Sequence, residues 1–111
     1  MQIRNVLFIL CFAFIHFFCV GNNTAPVIES IVATPDSVAR GGQVQLVCNA
    51  SDAEDSDLVY LWECTVGSLI ESVNETASWI APNETGYFSV SCEVSDSNNG
   101  TSIETIEIKV F

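Results

Sequence analysis

The sequence predicts an all-β chain: an antiparallel β-sandwich of about seven strands, preceded by a short apolar N-terminal helix. Three observations carry that prediction. Apolar and polar residues alternate over residues 43–50, 58–64 and 86–94, the pattern of half-buried strands. Turn-forming residues (Pro35-Asp36, Gly41-Gly42, Gly67, Pro82-Asn83 and Asn99-Gly100), with the acidic break at 51–57, punctuate the chain into short segments. Beyond residue 21 no helical period of useful length occurs, so strands must supply the core.

Taken in order, residues 1–21 read as a secretory signal peptide. Arg4 is their sole charge, residues 6–20 are apolar apart from His16, and Cys19 and Gly21 stand at the −3 and −1 positions of a cut before Asn22. The stretch is short for a membrane span, which needs roughly 20 apolar residues. An uncleaved anchor and a lipid on Cys19 are the competing readings, and the bulk of Phe17 and Phe18 weighs against the lipid. Cleavage leaves a polar lead-in, 22–26, and a domain, 27–111. That mature chain holds Arg40 and Lys109 against fourteen carboxylates, a net charge near −12. It has no footprint for nucleic acid and would be repelled by anionic lipid, so no membrane contact is expected after cleavage unless Cys19 is lipidated. The single histidine lies in the signal, which removes Ser-His-Asp and Cys-His catalysis and any histidine-bearing zinc site.

Within the domain, 27–33 is β-branched and ends at Pro35-Asp36. A glycine turn at 38–42 leads into 43–50, where Val44, Leu46, Cys48 and Ala50 share a face. An acidic break, 51–57, precedes 58–64 with Tyr60, Trp62 and Cys64 on one side. A short piece at 69–70 is followed by a polar loop, 71–74, then a strand at 76–81. In 86–94, Phe88, Val90, Cys92 and Val94 line one face, and Tyr87 points to the other. A hairpin turn at 96–100 uses Asn99-Gly100, which tolerates positive φ. The last strand, 102–110, carries an apparent slip around Thr105 that predicts a bulge. About 90 residues make one thin core, which benefits from a staple.

Cys48, Trp62 fourteen positions later, and Cys92 together resemble the cysteine–tryptophan–cysteine signature of immunoglobulin-like (Ig-like) domains. Other motifs look closer to the PKD-like and related Ig-like modules of bacterial secreted and surface proteins. These are Ala33-Thr-Pro-Asp-Ser-Val38 with Gly41-Gly42, Cys48-Asn-Ala-Ser-Asp52, Leu58-x-Tyr60-x-Trp62, Trp79-x-Ala81-Pro82, Gly86-Tyr-Phe88 and Val94-Ser-Asp96. The match runs over about residues 25–110. Val90 stands where an antibody-type domain has tyrosine, which favours the PKD-like side. In the loop where relatives often read Asp-Pro-Asp-Gly-Asp, this chain reads Asp52-Ala-Glu-Asp-Ser-Asp57.

The resemblance places Cys48 and Cys92 on inward faces of opposite sheets and implies a disulfide between them, with Trp62 packed on the bridge. Cys64–Cys92 is the alternative, because their strands would be neighbours. Trp62, Trp79, Tyr60, Phe88 and Val90 are expected in the core rather than in a carbohydrate-stacking platform. The acidic loop fits a solvated turn first. The second reading is a weak calcium site built from Asp52, Glu54, Asp55 and Asp57, with Asp96 from a neighbouring loop, since calcium takes six to eight oxygen ligands. Paired glycosidase carboxylates need a cleft between them, which a thin sandwich lacks. Asn22, Asn49, Asn74, Asn83 and Asn99 lie in Asn-x-Ser/Thr triplets and would be glycosylated only in a eukaryotic secretory pathway. The expected function is therefore a secreted or envelope-associated module without catalytic activity, serving adhesion, matrix or spacing through contact with an extracellular protein or glycan. The alternative is a secreted inhibitor of Ig-like fold acting through a rigid loop.

Overall fold

The computed structural model describes residues 24–54 and 57–111, so the signal segment lies outside it. Eight strands form two four-stranded sheets: β1 (Val27–Thr34), β2 (Ser37–Val38), β3 (Gln43–Ser51), β4 (Val59–Cys64), β5 (Ser68–Val73), β6 (Thr76–Ile80), β7 (Gly86–Ser95) and β8 (Thr101–Val110). One sheet runs β1-β3-β6-β5 and the other β2-β8-β7-β4. All pairings are antiparallel except that of β2 with the end of β8.

Alternation builds the core directly. Val44, Leu46 and Cys48 of β3 are buried and face Val90, Cys92 and Val94 of β7, with Trp62, Trp79, Ile108 and Val110 completing the layer. Tyr60, Phe88 and Cys64 are half-buried against it. The indole of Trp79 lies 6.5 Å from the Phe88 ring, centroid to centroid, in a tilted pair. Both indole N–H groups donate to turn carbonyls: Trp79 Nε1 to Val66 O at 3.0 Å and Trp62 Nε1 to Asn74 O at 3.1 Å. Val66 and Asn74 flank β5, so the two tryptophans hold that edge strand down while satisfying their own donors.

Three details depart from the sequence expectations. Residues 71–73 continue β5 instead of forming a loop, with irregular pairing between Ile70 and Val73 and a positive φ of 50° at Glu71. Ser37–Val38 adds a two-residue strand recruited by the far end of β8. Third, the predicted bulge near Thr105 is absent, and β8 pairs with β7 without a register shift from Thr101 to Val110. Ile103 consequently points outward, 60% exposed, and Glu104 takes the inward row. Glu104 is tolerated because β2 covers only the last two residues of β8, leaving its first half at an open side of the sandwich. An inward charge there also discourages strand addition. The bulge sits in β1 instead, between Ile28 and Ser30.

This phase can be checked by equilibrium urea unfolding. Leu46→Ala, in the buried row, is expected to cost about 3 kcal/mol, and Ile103→Ala to stay within about 0.5 kcal/mol. A large loss at Ile103 would mean that β8 is bulged after all.

Candidate functional site

Two clusters of chemically capable groups stand out. The first lies in the core. Cys48 on β3 and Cys92 on β7 come from opposite sheets, both are buried, and each thiol perturbs the other across the core. All three domain cysteines are free thiols here, so neither the Cys48–Cys92 nor the Cys64–Cys92 bridge is present. Cys64 is half-buried at the end of β4, where its thiol contacts Gly67 O at 3.8 Å. Burial pushes the Cys92 thiol up to about 12, with the neighbouring Cys48 adding to the shift, and burial likewise raises Cys48. Tyr60 beside them is raised for the same reason.

The second cluster joins two loops at one end of the sandwich. After β3, the Asp52 side chain turns back so that Oδ2 accepts from Glu54 N at 3.2 Å. After β7, Asp96 organises the hairpin to β8: its Oδ1 accepts from Asn98 N at 2.8 Å and Gly100 N at 2.7 Å. Asn99 has the positive φ (69°) that the turn requires. Gly100 is needed for space instead, since a Cβ there would come within 2.6 Å of Asp96 Oδ2 and 3.0 Å of Ala25 Cα. Asp52, Glu54 and Asp96 each place one carboxylate oxygen within 4.8 Å of the others. Oxygens bound to one calcium ion, at 2.3–2.6 Å each, lie at most about 5 Å apart. Asp96 is only 8% exposed, and its Oδ2 is buried without a hydrogen-bond partner. A buried carboxylate oxygen lacking a donor is costly unless something cationic meets it.

The N-terminal lead-in packs onto this cluster. Thr24 N donates to Glu54 Oε1 at 3.4 Å, Pro26 is buried, and Ser102 Oγ donates to Pro26 O. Of the other acids named for the loop, Asp57 is exposed and outside the cluster, and Asp55 falls outside the described residues.

No family model matches the chain, and no curated protein matches it in sequence. Solved structures do. The PKD1 domain of Vibrio anguillarum Epp superposes with a TM-score of 0.61 at 28% identity, over 80% of this chain and 96% of that domain. This chain is a PKD-like β-sandwich. A nucleoside hydrolase-related hypothetical protein from Saccharophagus degradans, associated with carbohydrate metabolism, shares the fold with a TM-score of 0.67 at 20% identity. The match covers 80% of this chain but 26% of that one, so the PKD-like unit corresponds to about a quarter of the larger protein.

Within the PKD-like domain, Tyr87 is 66% exposed on the outer face, whereas Trp62 and Trp79 are buried and offer no stacking platform. Asn49, Asn74, Asn83 and Asn99 are all exposed, and Asn22 is outside the described residues. Asn49 points away from the core and its amide donates to Ser30 Oγ at 2.9 Å. The residue that sequence reasoning missed at the loop cluster is Gly100, chosen by packing against Asp96; no local sequence signal separates that role from an ordinary turn glycine.

The buried thiols set an alkaline limit. Below pH 9.0, the ordinary thiol value, they are protonated in both folded and unfolded chains, and nothing is lost. Above it the unfolded chain releases protons that the fold retains, for Cys92 until about pH 12. Stability of the reduced protein is therefore expected to fall as pH rises through that window, read by urea midpoints at pH 8 and pH 10. Cys92→Ala should flatten this dependence even though it lowers the overall stability.

Proposed function

We propose that this chain is an exported, non-catalytic binding or spacing module whose acidic loop end takes up calcium and whose core cysteines, Cys48 and Cys92, close into a disulfide during export. PKD-like domains are typically non-catalytic, and the signal-like residues 1–21 support export. The observation that carries the reading is Asp96. Its buried, donor-less Oδ2 stands among carboxylates from two loops that otherwise repel one another.

Asp52, Glu54 and Asp96 would hold the ion, and its charge would offset the repulsion among them. With only three carboxylates the site is a weak one, in the range of extracellular modules that meet millimolar calcium. Because Glu54 also accepts from Thr24 N, bound calcium would stiffen the lead-in together with the two loops, which is what a spacer needs. Oxidation of Cys48 and Cys92 would close a loop of about 45 residues and add roughly 4 kcal/mol on the chain-entropy estimate. An inhibitor acting through a rigid loop is the other reading, and recovery of a single protease with the native exported protein would favour it.

The calcium reading is tested by thermal unfolding of the full chain with calcium, with magnesium and with neither. Calcium at tenfold its dissociation constant should stabilise the protein by about 1.4 kcal/mol. Asp96→Asn, which keeps an acceptor for the turn N–H groups, should abolish that response. An equal response in the variant, or none in the parent, would sink the reading.

A further inference from the structure

The sandwich leaves five stretches of strand edge, and four are blunted. β1 carries a bulge, β2 is two residues long, β5 is irregular with a positive φ at Glu71, and the part of β8 that β2 leaves unpaired turns Glu104 into the inward row. β4 differs. It pairs with β7 from Val59 to Cys64 with no register shift, and among the described residues no strand lies beyond it. It has no proline and one charge, Glu63, and it exposes Val59 (66%) and Leu61 (53%) on its outer face. A straight, unguarded edge is a template for another strand.

Charge says what kind. The two cations among the described residues sit at the opposite side: Lys109 pairs with Ser37 of β2, and Arg40 N bonds to Phe111 O. The β4 side carries Asp57, Glu63, Glu71, Glu75 and Glu93 and no cation; Glu93 lies directly across from Leu61. A trough of about 500 Å³ crosses the outer face of this sheet from the end of β4 over β7 to β8, lined by Glu63, Ser89, Ser91 and Thr105 among others. A second copy of the chain would bring an identical acidic edge and be disfavoured by like charge.

We propose that the β4 edge receives an extended, lysine- or arginine-bearing segment of a partner protein as an added strand of this sheet. Main-chain hydrogen bonds to β4 supply affinity, apolar residues cover Val59 and Leu61, and a cationic side chain enters the trough toward Glu63. This inference deepens the binding-module reading by naming the partner's chemistry; its failure would leave the calcium response untouched.

The test is a titration of the full chain with a synthetic peptide of alternating lysine and valine, read by affinity and by amide hydrogen exchange. Exchange across Val59–Glu63 should slow. The double variant Glu63→Lys/Glu93→Lys should bind about tenfold more weakly, while Glu29→Lys on the bulged β1 edge changes affinity by less than about threefold. A glutamate–valine peptide should not protect β4. Protection confined elsewhere, equal losses in the two variants, or no protection at all would overturn the proposal. So would β4 protection without peptide, whether constant, meaning that the chain's own residues 1–23 fill the edge, or rising with protein concentration, meaning that a second copy does.

Discussion

Two four-stranded sheets this small are held by the single layer between them, and the middle of that layer is the contact of Cys48 with Cys92. Each thiol belongs to the central region of its sheet, on the two strands whose alternation is cleanest. Around the pair, Val44, Leu46, Val90 and Val94 fill the flanks, and the indoles of Trp62 and Trp79 extend the layer to the β5 edge. A water-excluded centre built from thiols has a chemical consequence. The same burial raises both thiols above their ordinary value, Cys92 to about 12, so the fold disfavours their thiolate forms.

The ends and edges depend on that core but follow electrostatic rules. At the loop end, Asp96 ties its own turn through Oδ1 and leaves Oδ2 to the space shared with Asp52 and Glu54. The lead-in residues reach the same place, so the chain's entry into the domain and the acidic loops form one unit. At the sheet edges the carboxylates have an uneven partition. Arg40 and Lys109 lie toward β2, and the β4 side is purely anionic. A strongly acidic module thus presents one polar end and one polarised edge, rather than a uniform negative surface.

The two-sheet architecture was legible because β3 and β7 alternate without interruption and are separated by turn residues whose chemistry is unambiguous. β5 was not: its single inward residue, Leu69, is half-buried and too little to set a period, and the tertiary hydrogen bonds from the indoles hold it in place. β2 is visible only once the end of β8 is in position beside it. In β8, counting apolar residues favoured a slip that would bury Ile103. The continuous ladder with β7 prevailed, and Glu104 faces inward where the sandwich is open. Asp52, Glu54 and Asp96 could be named from the sequence as oxygen ligands on two neighbouring loops. The burial of Asp96 could not, because it depends on the carboxylate lying close over Gly100, where a side chain would leave no room for it.

We propose that the domain closes on Cys48 and Cys92 and leaves Cys64 apart. Peptide mapping of the natively exported protein, denatured and alkylated before any reduction, tests it most directly. An alkyl group on Cys64 is expected, with a cross-linked pair of peptides bearing Cys48 and Cys92 that only reductant separates. Alkylation of Cys48 with a Cys64–Cys92 cross-link in its place would contradict it, as would ready alkylation of all three.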